Sequence, residues 1–450
     1  MELIKKHKRA LFNFKLKIKI MKKLLFVVLI ASAFAVSCDG KYDEFFDDIE
    51  ENVDEEVIDV TVDNLGGVDE ITKVQPMTGI VLWDDNNNNN KGVNSLEYSY
   101  MNYDDIVSQK GVYDWTAVEN KLNDIASRNH QAILRFRISY PGFETTVPQY
   151  IKNSNGYEEI EAKAEKKDTW YPDWRSQELK DFILEFYEKF AEKYDEDNRL
   201  AFIQVGFGHY AEYHNYDGLI DLGRTFPSKS FQTTFLNKLN DEFYNLHWSL
   251  SIDAGDSEYS PFSENTSLLN LPFGVFDDSF MHKKHGDYNT DMHNFFGRDR
   301  FENSPIGGEF SYYTDYEQRN VLSPNGPHEE SFESFAARFH ITYMIGNDQF
   351  QYQSKNRIKE ASLATGYKFE VTKFVKVDGK SILTVKNNGI APIYYDAYLS
   401  IAGHDSNESL KSLMPGEESV FTIDHDGDEE LEIYCPRLLD GQVIDFVNSY

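Results

Sequence analysis

Glu212, Asp278 and Glu309 each stand at or just past the end of a short apolar run. Acids placed at strand ends can converge on one bond. Two carboxylates flanking a glycosidic bond suffice to break it: one protonates the leaving oxygen, the other attacks the sugar or activates water. Glu212 and Glu309 are the first choice for that pair, with Asp278 as the rival partner. Glu212 sits in Gly206-Phe207-Gly208-His209-Tyr210-Ala211-Glu212-Tyr213-His214, and Glu309 follows Gly307-Gly308. Those two glycines imply either close backbone approach or a turn.

More polar residues recur at the ends of apolar runs: Asp84, Arg135, Arg137, His209, His214, Asp253, Asp256, Asp277 and Asp348. Arg135 and Arg137 lie two apart on an extended run, so they share a face. They serve either as ligands for sugar hydroxyl or acidic groups or as structural ion-pair partners. Trp83, Trp174, Tyr210 and Tyr213 offer flat rings for sugar stacking, or core packing. His282-Lys283-Lys284-His285 is a rare positive spot, either a contact for sulfate or uronate or a solvated loop.

These positions make sense on one scaffold. Short apolar runs at Gly79–Trp83, Leu96–Tyr100, Ala132–Ile138, Leu200–Val205, Trp248–Ile252, Phe273–Phe276, Ile306–Phe310 and Ile341–Ile345 read as eight strands. Helical periodicity follows several of them. Ser176 precedes the strongest stripe: Leu179, Phe182, Ile183, Phe186 and Phe190. A long Lys/Glu-rich loop separates the third strand from this helix. Eight strands alternating with helices predict an α/β fold, a (β/α)₈ TIM-type barrel over 76–365. In such barrels the functional groups lie at the C-terminal strand ends. Beyond Gly366 the pattern turns to alternating β segments with turns at Asn388-Gly389 and Pro415-Gly416, predicting a small antiparallel β-sandwich over 366–450.

The N-terminal region points outside the cell. Met21-Lys22-Lys23 is a positive start, Leu24 to Ala35 an apolar run too short to span a bilayer, and Ala35-Val36-Ser37-Cys38 a lipoprotein-type cleavage pattern. This predicts a signal peptide over 1–37, lipidation of Cys38, and a membrane-anchored outer membrane lipoprotein exposed at the cell surface. Residues 38–75 are acid-rich and poor in apolar groups, which predicts a flexible tether. Net charge is −31, and nine Lys/Arg against one Glu fall within 1–37, so the remainder sits near −39. That field opposes nucleic acid. With Cys38 acylated, Cys435 has no disulfide partner. No zinc spacing, phosphate loop or dinucleotide motif occurs, so no cofactor or metal is expected.

Several segments resemble an exported bacterial family common in Bacteroidetes, domain of unknown function 4832. They are Gly-Val-Tyr-Asp-Trp at 111–115, Ile-Leu-Arg-Phe-Arg at 133–137, Pro-Asp-Trp at 172–174, the 205–214 segment, Phe-Asp-Asp-Ser-Phe at 276–280 and Gly-Gly-Glu-Phe at 307–310. The resemblance spans 76–450. It implies a barrel related to clan A glycoside hydrolases with a C-terminal β-domain, acting on polysaccharide or oligosaccharide at the cell surface. Clan A enzymes carry Asn before the strand-four acid/base, whereas Ala211 stands here before Glu212. That departure keeps a second reading open: a non-catalytic glycan-binding lipoprotein on a barrel scaffold. A structural envelope protein without a sugar ligand is the third.

Overall fold

The structure, a computed structural model, describes residues 66–449. Cys38, the signal segment and most of the tether lie outside the described residues. Eight parallel strands close a barrel: β1 (Gly79–Trp83), β2 (Leu96–Asn102), β3 (Gln131–Arg137), β4 (Leu200–Val205), β5 (His247–Ser251), β6 (Gly274–Phe280), β7 (Ile306–Phe310) and β8 (Tyr343–Ile345). The order around the ring is β1-β8-β7-β6-β5-β4-β3-β2. These strands read as nearly continuous apolar runs because both faces are covered, by helices outside and side chains inside.

The helix after β3 shows how sequence makes this shell. Ser176 Oγ accepts the N–H of Leu179 at 3.2 Å and caps α2 (Gln177–Tyr194), which follows α1 (Thr116–Ala126). The predicted stripe of α2 is fully buried. Phe186 and Phe190 pack edge-on against Phe136 of β3 at 4.8 and 5.1 Å. Burying such a side chain contributes about 1.5–3 kcal/mol.

Glycines let β7 lie tightly against its neighbours. A Cβ on Gly307 would come within 2.3 Å of the Tyr343 ring, and one on Gly308 within 2.0 Å of the Asp277 carbonyl. Close approach, not a turn, is what this pair provides.

Beyond the barrel come two small sheets. One orders β13 (Glu418–Ile423), β10 (Lys380–Asn387), β9 (Phe369–Val377) and β15 (Phe446–Asn448); the other orders β12 (His404–Asp405), β11 (Tyr398–Ile401) and β14 (Leu431–Tyr434). All pairs are antiparallel except β9 with β15. Residues 393–397 are irregular and plug the barrel's lower end. Tyr395 stacks parallel to Phe202 of β4 at 6.2 Å, and Tyr394 OH donates to the Phe301 carbonyl at 2.8 Å. One apolar cluster therefore runs from the barrel interior into the sandwich.

Three features departed from the expected elements. β6 continues to Phe280, so Asp277 and Asp278 lie within a strand rather than after it. The Lys/Glu-rich loop contains a hairpin, Ile160–Ala164 with Lys167–Tyr171. A helix, Gly286–Phe296, follows β6 where polar residues had obscured the pattern.

Candidate active site

The ring's C-terminal end opens into a cavity of about 760 Å³. Glu212, Asp277, Asp278 and Glu309 all line it, as do Trp83, Tyr210, His214, Asp253 and Asp348. The predicted acids of β4, β6 and β7 are thus brought together.

Glu212 is placed by a tightly wound loop after β4. The backbone N–H groups of Phe207 and Gly208 donate to the Glu212 carbonyl at 3.2 and 2.8 Å, and His209 N–H donates to the His214 carbonyl at 2.9 Å. A Cβ on Gly206 would meet the Ala211 carbonyl at 2.1 Å, and one on Gly208 the His214 carbonyl at 1.9 Å. Tyr210 and Ala211 both hold positive φ, 57° and 56°. Such non-glycine conformations cost of order 1 kcal/mol or more each. The turn points the Tyr210 carbonyl at Arg135, whose Nη1 donates to it at 3.0 Å.

Arg135 is the keystone beneath the cavity floor. It is 1% exposed and does not line the cavity. Nη1 donates to Asp278 Oδ2 at 2.8 Å, Nε donates to Gln204 Oε1 at 2.8 Å, and the guanidinium lies 4.2 Å over the Phe276 ring. Gln204 passes the chain on, donating to Tyr343 OH at 2.8 Å. The ligand role open to Arg135 is therefore replaced by an ion pair. Arg137 also stays out of the cavity: its Nε donates to Asn102 at 2.8 Å and its plane lies 4.9 Å over Tyr140.

Three carboxyls here are held far from their ordinary behaviour. Burial, then Asp278, pushes Glu212 up to about 7, while His214 pulls the other way. Burial and then Asp278 push Glu309 well above the carboxylate range, opposed by Arg135 and by a hydrogen bond from Trp83. Burial pushes Asp277 to about 8, although it accepts Ser279 N–H and Oγ–H at 2.9 and 3.1 Å. Asp278 is the acid whose charge is matched, by Arg135.

Glu212, His214 and Asp253 each offer one atom within 4.8 Å of the others, a grouping able to hold a metal ion. The chemistry of the ring argues for another role. Burial works against the charge of His214, but Glu212 and then Asp253 push it up to about 9, and its Nε2 faces Glu212 Oε2 at 3.5 Å. The imidazole thus offers its acids a donor, not a lone pair.

Some expected site residues lie elsewhere. His209 is fully buried outside the cavity wall, its Nε2 3.2 Å from Tyr171 OH; the wound loop turns it inward. Trp174 and Tyr213 are core, packed at 5.3 and 5.5 Å against Phe207. Lys283 and Lys284 are exposed and off the cavity, and only His285 of that run lines it. Sequence reasoning missed Tyr100, Tyr140, Glu165, Tyr216, Tyr288 and Tyr313, all in the wall. Tyr216 stacks on His214 at 4.2 Å, and the hairpin tip brings Glu165 to the Tyr210 hydroxyl. Only the position of Tyr100 on β2, two residues past inward-facing Tyr98, was a usable signal.

No protein-family model and no curated protein matches the chain. Among solved structures it is similar to an endo-glycoceramidase II from Rhodococcus sp. (8% identity, TM-score 0.39, 80% of this chain and 99% of that one). It is also similar to the catalytic domain of a β-amylase from Paenibacillus polymyxa (9%, 0.39, 62% and 92%). A third likeness is an intracellular xylanase from Thermoanaerobacterium saccharolyticum (11%, 0.38, 65% and 93%). At this level of overlap the activities and ligands of those proteins do not bear on this chain.

Proposed function

We propose that this protein hydrolyses a glycosidic bond in a polysaccharide or oligosaccharide, with Glu212 as the proton donor. The observation that carries the reading is the pairing of opposites in one cavity. Glu212 is a buried carboxyl raised to about 7, and Asp278 beside it is ion-paired with Arg135 at 2.8 Å. Two carboxyls in settings this different can divide into acid and base. A neutral Glu212 can protonate a leaving oxygen, and the ion-paired Asp278 can meet the developing positive charge or activate water. Glu309, the first choice for the second role, is the weaker candidate because burial favours its neutral form. It acts as a hydrogen-bonding neighbour fixed by Trp83. Tyr100, Tyr140 and Tyr210 form a chain of edge-on rings, 5.8 and 4.8 Å apart, suited to sugar faces.

The proposal includes export and lipidation of Cys38. It is supported by the order of charged, apolar and small residues before that cysteine. Palmitate labelling lost in Cys38→Ala tests this part.

Reducing-end release from a panel of polysaccharides tests the chemistry. Hydrolysis abolished in Glu212→Gln supports it. Binding of glycans without cleavage, by a well-folded protein, replaces it with the binding-module reading.

A further inference from the structure

Phe143 is the one exposed phenylalanine among the described residues, 53% open to solvent. A single exposed apolar side chain is ordinary, but this one is firmly held. Tyr140-Pro141-Gly142-Phe143 is a type II turn: Phe143 N–H donates to the Tyr140 carbonyl at 3.1 Å, and Gly142 has a φ of 90°. The turn is fastened to the hairpin that follows it. Gly142 N–H donates to Thr169 Oγ1 at 2.9 Å, and Trp170 N–H donates to the Phe143 carbonyl at 3.2 Å. The ring packs edge-on against Tyr140 at 5.6 Å. Tyr140 lines the cavity and packs in turn on Tyr210 at 4.8 Å. Phe143 thus continues the cavity's aromatic chain onto the outer surface.

The same spot holds free hydrogen-bond donors. The Arg137 guanidinium lies 5.4 Å from the Phe143 ring and 4.9 Å from the Tyr140 ring. Among the described residues its one hydrogen bond runs from Nε to Asn102, and no carboxylate pairs with it. Both Nη groups are without a protein acceptor, and neither is buried. Arg128, Arg199 and Arg300, also half-buried, instead bond acids or backbone carbonyls. An aromatic face beside forked N–H donors suits a sugar ring, whose C–H face stacks while its hydroxyl oxygens accept. Charge decides which sugar. Burial and then Asp105 raise Asp104, and the Arg137 charge works against them. Asn102, which accepts from Arg137, donates to Asp105 Oδ2 at 2.9 Å. With two acids beside it, Arg137 has donors open but its charge already shared, which favours a hydroxyl over a carboxylate.

We propose that Phe143 and Arg137 form a subsite outside the cavity for an uncharged sugar unit of the bound chain, its ring face on Phe143 and its hydroxyls on the Arg137 Nη groups. This rests on the glycan reading above and names its substrate class: neutral chains long enough to leave the cavity, not disaccharides and not uronates. The turn that presents Phe143 is fixed before binding, so little conformational entropy opposes stacking there.

The test is calorimetric binding to the full-length Glu212→Gln protein. The probes are the disaccharide and the hexasaccharide of the cello-, xylo-, manno- and malto-oligosaccharide series, with hexagalacturonate. In at least one series the hexasaccharide should bind tighter than its disaccharide, and tighter than hexagalacturonate, by about tenfold or more. Adding Phe143→Ala should weaken that hexasaccharide by about tenfold and its disaccharide by less than about twofold. Phe143→Tyr keeps a ring and should keep the affinity. Arg137→Gln should weaken the hexasaccharide by about threefold or more. Equal binding of the two lengths in every series, or a hexasaccharide affinity unchanged in Phe143→Ala, overturns the proposal. So does tighter binding of hexagalacturonate. Binding of no hexasaccharide at all also removes the subsite, and reducing-end release from the polysaccharide panel then judges the hydrolase reading by itself. Cleavage that Phe143→Ala and chain length leave untouched sinks this inference and keeps the hydrolase reading. Length-dependent binding through Phe143, with no cleavage by the unsubstituted protein, does the reverse.

Discussion

Arg135 of β3 and Asp278 of β6 meet across the barrel interior, Nη1 2.8 Å from Oδ2, with Arg135 side chain 1% and Asp278 side chain 11% exposed. The pair lies directly under the cavity and sets its electrostatics: Asp278 raises both Glu212 and Glu309. Removing one partner leaves a buried charge uncompensated, at about 3–5 kcal/mol. Arg135→Met is therefore expected to lower stability by that amount in denaturant titrations. The double variant Arg135→Met/Asp278→Asn should recover a large part of it. Equal stability of the single and double variants would show that the pair is not coupled.

Glu212 has to be protonated to act as an acid. Its proton affinity is raised to about 7 by burial and then Asp278, and lowered by His214. Activity should hold on the acid side of about pH 7 and fall as pH rises through it, the apparent midpoint belonging to Glu212, His214 and Glu309 together. His214→Gln removes a lowering influence, so the falling limb should move to higher pH. Glu212→Gln should cut kcat by about 10²–10⁴-fold and abolish that limb. A limb unmoved in His214→Gln assigns it to another group.

The second carboxylate can be told apart by charge. Burial favours the neutral form of Glu309, and Trp83 bonds it. Gln is a near-isostere of that form, so Glu309→Gln should lose about tenfold or less in kcat. Asp278→Asn removes a charge and should lose as much as Glu212→Gln, about 10²–10⁴-fold. The reverse ranking would return the second role to Glu309.

Much of this is legible in the sequence, for a definite reason. Strands buried on both faces must be apolar runs, and a capped helix such as Gln177–Tyr194 must carry an apolar stripe, so the barrel follows from pattern alone. Glu212, Asp278 and Glu309 could be found because barrel topology fixes where strand ends lie. Arg135 shows the limit. Its strand face was readable, but whether it reached a ligand or Asp278 depends on β6 extending to Phe280, and acids inside a strand break the pattern that marks one. Tyr216, Tyr288 and Tyr313 come from loops and a polar helix with no period to read. His209 and Glu212 are three residues apart, yet two positive-φ residues between them send one to the core and the other to the cavity.

Asp277 should weaken the fold at high pH. Its affinity for a proton is raised to about 8, chiefly by burial, so the neutral form is the one the fold favours. The sign follows from linkage: its contribution is intact below about pH 4, the unfolded value, and is lost as pH rises through about 8. Asp277→Asn keeps an oxygen acceptor for Ser279 and removes the charge. In denaturant unfolding it should match the unsubstituted protein near pH 4 and be more stable near pH 8. One pKa unit corresponds to about 1.4 kcal/mol, so a gain of a few kcal/mol is expected. A gain that does not grow with pH would point to packing rather than charge.

The wound loop makes a prediction of its own. Gly208 lies where a Cβ would sit 1.9 Å from the His214 carbonyl, and that carbonyl accepts His209 N–H. Backbone cannot yield there without unwinding 206–214, which carries both Glu212 and the Tyr210 carbonyl that Arg135 holds. The barrel strands do not depend on this loop for their pairing. Gly208→Ala should thus cost activity more than fold: a kcat loss of about 10²-fold, since small misplacements of a catalytic group suffice for that, with a destabilisation of only about 1–3 kcal/mol. The pH profile separates this from a merely structural effect. As Glu212 moves out of its buried setting it should titrate nearer an ordinary carboxylate, shifting the falling limb of residual activity below pH 7. Residual activity with an unshifted limb would mean that the loop, although tightly wound, does not set the proton affinity of Glu212.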